Sequence, residues 1–226
     1  ETPIATMRYG DATTIWRINV GWRKRRREHE RGFLLDVERG YWATNSDGDD
    51  GDNEDPMTQS QVKRVVPFVQ DSRNALTFEL ESAQDVTFMA TLQAALKQGI
   101  QQIYQLEPSE LAVDPLPSFD DRRILFFYEA SEGGAGVLRQ IAEEPTALAE
   151  VARAALTTCH FNPETGEDHG TEICAAACYD CLLEYGNQPD HRYIDRQLVL
   201  SFLRQLADAN TEISGSRRTP VDPLDE

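Results

Sequence analysis

The spacing of apolar positions changes part-way along this chain, and that change orders its elements. Residues 12–20, ATTIWRINV, put Trp16, Ile18 and Val20 on one face at a period of two, which predicts a half-buried strand. Residues 32–42, GFLLDVERGYW, do the same with Phe33, Leu35 and Val37. The intervening GWRKRRREHER is too polar for a core and predicts the connection of an N-terminal β-hairpin. RVVPFV (64–69) and ALTFEL (75–80) read as two more strands separated by QDSRN. Pro67 makes the first an edge or irregular strand, because it has no N–H to donate to a ladder. Then the period becomes helical. Met89, Leu92, Leu96, Ile100 and Ile103 predict a long amphipathic helix over 84–105, with a cap signal in SAQD (82–85). LAVDPLP (111–117) predicts a short strand. RRILFFYEA (122–130) holds a continuous apolar run from Ile124 to Tyr128 and predicts a strand buried on both faces. SEGGAG (131–136) turns into a helix beginning VLRQIAEE, and Pro145 fits the first turn of the next, TALAEVARAAL (146–156). IDRQLVLSFLRQLAD (194–208) closes the fold as an amphipathic helix.

Strands first and helices later predict an α/β or α+β class: a mixed sheet with packed helices, the N-terminal hairpin and a C-terminal helical subdomain built on cysteines. The expected division is a strand and hairpin segment (1–45), an acidic disordered loop (46–60), an α/β core (61–156), a metal-binding helical subdomain (157–210) and a flexible tail (211–226).

Hydrophobic residues make up 40% of 226, enough for a core. No apolar run reaches the ~18 to 20 residues that span a bilayer, and the N-terminus has no signal-peptide pattern. A cytoplasmic location and no membrane contact are expected. The chain opens without Met just ahead of a strand, as a piece of a longer polypeptide would. The net charge of −17 repels phosphate backbones at long range. It is uneven: SDGDDGDNED (46–55) carries six acids, while Arg23, Lys24, Arg25, Arg26 and Arg27 stand in a row. That basic run, with Trp16 and Trp22 nearby, is the candidate nucleic-acid contact; as a bland alternative it is a solvated hairpin tip.

All four cysteines fall between residues 159 and 181, as C-x14-C-x3-C-x2-C. With a core and no export signal, a metal explains such clustering better than disulfides. Thiolates suit zinc, which takes four ligands in a tetrahedron. Cys174, Cys178 and Cys181 are spaced to share one side of a helix or helix-turn, and Cys159 reaches back from the preceding helix. Such a shell is closed, so one structural zinc is expected and no catalytic metal. His160 and His169 are rival ligands. Buried free thiols and a redox pair at Cys178 and Cys181 are the other readings.

Two further motifs have bland explanations. The glycines of EGGAG (Gly133, Gly134 and Gly136) open a helix and could hold an anion, but the chain has no Walker A or dinucleotide fingerprint, so a tight turn is favoured. Asn187, His191, Asp195 and Arg196 could belong to a hydrolytic site with Glu129 and Glu132. Structural roles are favoured: Asn187 ending a short helix at Gly186, Asp195 complementing the dipole of the last helix, Asp190 as its candidate N-cap, and His191 bonding backbone.

YEASEGGAGVL, then Cys159, then CAAACYDCLLEYGNQPDHRYIDR together resemble the MrfA-type zinc-binding domain. That domain stands at the C-terminus of superfamily-two repair helicases and in the DrmB component of the DISARM phage-defence system. The segment WRINVGWRKRR…GFLLDVERGYW resembles the region before it in long bacterial helicase-like proteins. The resemblance implies zinc on Cys159, Cys174, Cys178 and Cys181, and helicase motor domains in cis or as a partner subunit. It also implies a role in DNA repair or antiviral defence, with DNA reached through the complex. Motor motifs are absent from this sequence, so the chain itself is expected to be a non-catalytic accessory domain. The alternative is a metal-dependent hydrolase or nuclease using Glu132, His191 and Asp195.

Overall fold

The computed structural model describes residues 3–21, 31–43, 61–130, 134–170 and 174–214. The elements are β1 (Ala5–Ile18), β2 (Phe33–Asp36), β3 (Tyr41–Ala43), β4 (Val62–Val65), β5 (Phe68–Leu80), α1 (Val86–Tyr104), β6 (Leu111–Pro117), β7 (Arg122–Glu129), α2 (Val137–Glu143), α3 (Ala147–Thr158), a 3-10 helix (Tyr185–Tyr193) and α4 (Arg196–Ala207). Residues 1–13 with 73–226 form one compact unit, and residues 14–72 form a second. β1 and β5 each begin in one unit and end in the other.

In the larger unit the sheet order is β1-β5-β7-β6. β7 pairs antiparallel with β5 (Phe78 opposite Leu125) and with β6 (Val113 opposite Phe127). The ion pair Arg8–Glu79 at 3.2 Å and the Thr6–Glu81 hydrogen bond at 2.9 Å step in opposite directions along β1 and β5, so these also run antiparallel. The fold class is the expected one, and of its two forms the pairing selects α+β. The sheet is antiparallel, not mixed. A parallel neighbour needs a crossover of about a dozen residues, and β6 and β7 are joined only by residues 118–121. β1 starts earlier than the alternation at 12–20 indicated, because Ile4, Ala5, Met7 and Tyr9 already pack on the core.

α1 lies in that core through Met89, Leu92, Leu96 and Ile100, with Leu76, Phe78, Leu125 and Phe127 of the sheet. Its N-cap is Asp85, whose carboxylate accepts the Phe88 N–H at 2.8 Å. α3 crosses α1 closely at Gly99, where a Cβ would stand 2.5 Å from the Val151 carbonyl oxygen. The Ala-rich face of α3 (Ala147, Ala152, Ala155) is buried there, since small side chains are what such an approach admits.

In the smaller unit the sheet order is β3-β2-β4, all antiparallel. The strand expected over 32–42 is broken into a hairpin by Asp36, whose carboxylate accepts the N–H groups of Glu38 and Arg39, each at 3.0 Å. Gly40, at φ +73°, completes the turn. Among the described residues the segments 12–20 and 32–42 are not paired strands: one bond, from the Gly32 N–H to the Val20 carbonyl at 2.8 Å, links them, while β1 pairs with β5, and β2 with β3 and β4. Pro67 separates β4 from β5 as its missing N–H requires, while QDSRN is not a gap but the middle of β5. Arg23 to Arg27 and the acidic stretch 46–55 lie outside the described residues.

Candidate metal centre

α3 ends at Cys159, and the next residue, His160, takes a left-handed φ of +61°. That turn sends the chain into a small returning loop. Phe161 bridges Asp168, and the His169 N–H donates to the His160 carbonyl at 2.8 Å. Of the helix or helix-turn expected over 174–181, the structure forms a turn. The Cys178 N–H donates to Cys181 Sγ at 3.0 Å, and the Cys181 N–H returns to the Cys178 carbonyl at 3.2 Å. Backbone donors aimed at sulfur replace helical bonds there, although the Ala residues favour a helix locally.

These turns bring His160, Cys174, Cys178 and Cys181 together, with their ligand atoms all within 4.8 Å of one another. Cys174 Sγ and Cys178 Sγ each lie 3.6 Å from Cys181 Sγ, and His160 Nε2 lies 3.4 Å from Cys178 Sγ. A tetrahedron with Zn–S of about 2.3 Å and Zn–N of about 2.0–2.1 Å has edges of roughly 3.8 Å and 3.6 Å. The spacing therefore fits one zinc ion, and three sulfurs with one imidazole are a set zinc accepts. All four cysteines are free thiols.

Three of the four expected cysteines join this group, and His160, weighed as a rival, stands where Cys159 was expected. Cys159 is fully buried within the hydrophobic core. His169 is exposed and outside the group. The thiols are not equivalent. Burial pushes Cys159 well above its ordinary range and Cys174 up to about 12. Burial also pushes Cys178 up, but hydrogen bonds from His160 and its neighbouring thiols outweigh it and leave that thiol at about 7. A bound cation strips such thiols of their protons and reverses the penalty of burial.

Arg196 holds the frame around the group. Its guanidinium is buried and makes five hydrogen bonds. Nε and Nη2 donate to the Cys174 carbonyl at 3.1 and 2.9 Å, Nη1 to the Cys159 carbonyl at 3.1 Å, and Nη1 and Nη2 to the Asp168 carboxylate at 2.8 and 3.0 Å. It also lies over the Phe161 ring, 4.9 Å from the centroid. Both arms of the site are thus tied to one residue at the start of α4. The pairing holds Asp168 well below the usual carboxylate range. Gly170 is required beside it, since a Cβ there would meet Arg196 Nη2 at 2.2 Å. Nothing in the spacing around Arg196 pointed to its carbonyl partners.

The remaining candidates are spread apart. Asn187 donates to the Leu182 carbonyl at 2.8 Å and accepts the Glu184 N–H at 2.9 Å, so it shapes the turn after Cys181. His191 Nε2 lies 2.9 Å from Asn187 Oδ1 and 3.1 Å from the Glu184 carbonyl. Asp195 caps α4 by accepting the Gln197 N–H at 3.0 Å. Asp190 is not a cap; it forms a buried ion pair with Arg122 at 2.5 Å. Glu129, also buried, accepts the N–H groups of Gly136 and Leu138 at 3.3 and 3.2 Å and the Asn74 amide at 3.1 Å. The chain's own carboxylate thus fills the anion position of the Gly-rich turn, and a Cβ at Gly134 would collide with it. Gly133 and Glu132 lie outside the described residues.

Residues 92–182 match the family described as the MrfA Zn-binding domain. Among solved structures the chain is similar to the DUF1998 helicase MrfA bound to DNA, at 11% identity and a TM-score of 0.46. The alignment covers 91% of this chain and 26% of that one, so the chain spans about a quarter of that helicase. No curated protein matches the chain. Among the described residues, no helix is long and apolar enough to cross a membrane.

Proposed function

We propose that this chain is a non-catalytic, zinc-stapled accessory domain of a helicase-like DNA-processing protein. In this reading it works in a reducing cytoplasmic compartment and in DNA repair or phage defence. The observation that carries the reading is the group of His160, Cys174, Cys178 and Cys181, whose spacing suits one tetrahedral ion. Four protein ligands close the shell and leave no position for a reacting water. The ion joins the end of α3 to the segment leading into α4, and Arg196 fixes both from below. Cys159 then serves as a core thiol at the α3 terminus rather than as a ligand. The motor that would consume ATP belongs to a region or partner beyond this sequence, and this domain's part is to shape and brace it.

Native mass spectrometry of the purified chain tests this directly. One zinc per chain is expected, retained in Cys159→Ser and lost or greatly weakened in His160→Ala and Cys178→Ser. Full zinc retention in His160→Ala with loss in Cys159→Ser would return the ligand set to four cysteines. A metal-free folded chain with a reversible Cys178–Cys181 disulfide would replace the zinc reading by a redox one. Nuclease turnover with magnesium or manganese, abolished by Asp195→Asn, would make the domain an enzyme.

A further inference from the structure

The unit formed by residues 14–72 buries only Asp36 among its described residues, and no apolar side chain at all. Its large rings stand in solvent instead: Trp16 is 53% exposed, Phe68 57% and Trp42 58%. They are arranged in pairs. Trp16 stacks on Phe68 with centroids 4.9 Å apart and planes at 26°. Phe33 meets Trp42 edge-on at 5.6 Å. The strand register sets Trp42, Leu35 and Lys63 in one row across the three-stranded sheet, and directly paired residues share a face. Val65, opposite Phe33, extends that face.

Charge separates this unit from the rest of the chain. Residues 14–72 carry ten bases and eleven acids, a net charge of −1, against −16 for the rest of the chain, and the described ones carry five bases (Arg17, Arg31, Arg39, Lys63 and Arg64) against three acids (Asp36, Glu38 and Asp71). Two of the acids are held locally, Asp71 by Arg17 at 3.3 Å and Asp36 by Arg39 at 4.0 Å. Exposed rings beside cations are what single strands require: every base offers a π-face, and every linkage a phosphate. A duplex hides its base faces and cannot use the rings. Aliphatic Ile18 and Val69 are also exposed here and can cover the ribose edges.

We propose that the exposed rings and cations of this unit bind single-stranded nucleic acid. Bases stack on Trp16 with Phe68 and on Trp42 with Phe33, and Lys63 takes a phosphate. The inference deepens the function proposed above by giving DNA engagement a surface, and it uses residues outside the zinc group.

The test uses the intact, zinc-loaded chain and a fluorescein-labelled oligothymidine, read by anisotropy and by tryptophan quenching at low salt. Trp16→Ala and Trp42→Ala are each expected to weaken binding about tenfold, the loss of one stacked base. Lys63→Gln should lower the slope of log affinity against log salt by about 0.7, the value for one phosphate contact on a single strand. Duplex of the same length should bind more weakly. Zinc content, measured on every variant, keeps the two readings apart: oligonucleotide binding by a zinc-free chain overturns the metal reading alone. No binding at low salt, or binding that both tryptophan variants leave intact, overturns this one. A dimer in native mass spectrometry that Trp42→Glu dissolves would assign the face to a second copy of the chain and overturn it as well.

Discussion

The two units of this chain are held together in different ways. The larger one encloses a continuous core from Leu76 on the sheet to Leu206 on α4. Its buried arginines are each paired, Arg122 with Asp190 and Arg196 with Asp168, and its buried Glu129 is held by N–H donors. The smaller one has three short strands, a turn organised by Asp36, and rings that face water. Among the described residues this unit buries no apolar side chain, so it draws little on the hydrophobic effect, at about 25 cal/mol per Å² of apolar surface removed from water. The contrast teaches where changes should matter. In the larger unit side chains are interlocked, so one substitution strands several groups; in the smaller one it should alter binding more than stability.

The largest effect should come from the metal. Cys174→Ser or Cys178→Ser removes a thiolate from a site whose zinc is worth ~10–16 kcal/mol apparent in comparable peptides. Loss of zinc and a fall in thermal midpoint of more than ten degrees are expected for a domain whose whole stability is about 5–15 kcal/mol. Calorimetry with and without chelator measures it. If chelator leaves the midpoint unchanged, the larger unit stands on its core alone and the contrast narrows.

Next is Arg196→Leu. It leaves the carbonyls of Cys159 and Cys174 without their donors and Asp168 without its cation. Each of these buried carbonyls left without a donor costs about 1–3 kcal/mol, and urea unfolding should show it. Arg196→Lys should recover only part, because an ammonium cannot reproduce the guanidinium fork. Gly99→Val should cost somewhat less, about 1–3 kcal/mol, by pushing α1 from the Val151 carbonyl that lies 2.5 Å from the added carbon.

A smaller effect is expected from acid. The Asp168 carboxyl is held below its ordinary value in the fold. As pH falls below about 4, the unfolded chain takes up the proton first, and the fold loses the stabilisation of this pair. The contribution is complete above that pH and fades as the folded carboxyl titrates. Urea midpoints of the chain and of Asp168→Asn should therefore converge in strong acid and differ at neutral pH. The smallest change in stability should follow Trp16→Ala, within about 0.5 kcal/mol for an exposed site. A drop of several kcal/mol there would mean that the smaller unit is held together by its rings, against the comparison drawn here.

Much of the fold was legible from periodicity. The helical spacing of Met89, Leu92, Leu96 and Ile100 marked α1, and the apolar run 124–128 marked the strand β7. The turn at Asp36 to Gly40 carried a readable signal, an Asp followed by a Gly four residues on, but alternation through GFLLDVERGYW concealed it. QDSRN read as a break because its residues are polar. They are polar because that part of β5 is solvated, with Asp71 paired to Arg17.

At the metal centre, residue types and short spacings determined the chemistry: three sulfurs and a nearby fourth ligand within 23 residues ask for a soft-tolerant tetrahedral ion. Which fourth side chain joins them was not in the spacing, since Cys159 and His160 are adjacent and either could serve. After the left-handed turn at His160 the imidazole lies 3.4 Å from Cys178 Sγ, while Cys159, buried in the same core cluster as Cys174 and Cys181, is outside the group. Likewise the sequence supplied an arginine at 196, and only the tertiary structure placed two carbonyls and a carboxylate around it. Local propensity and ligand chemistry act over a few residues and survive in a linear pattern. Side-chain direction at a helix end, and the partners of a buried charge, depend on segments that meet only when the core has closed.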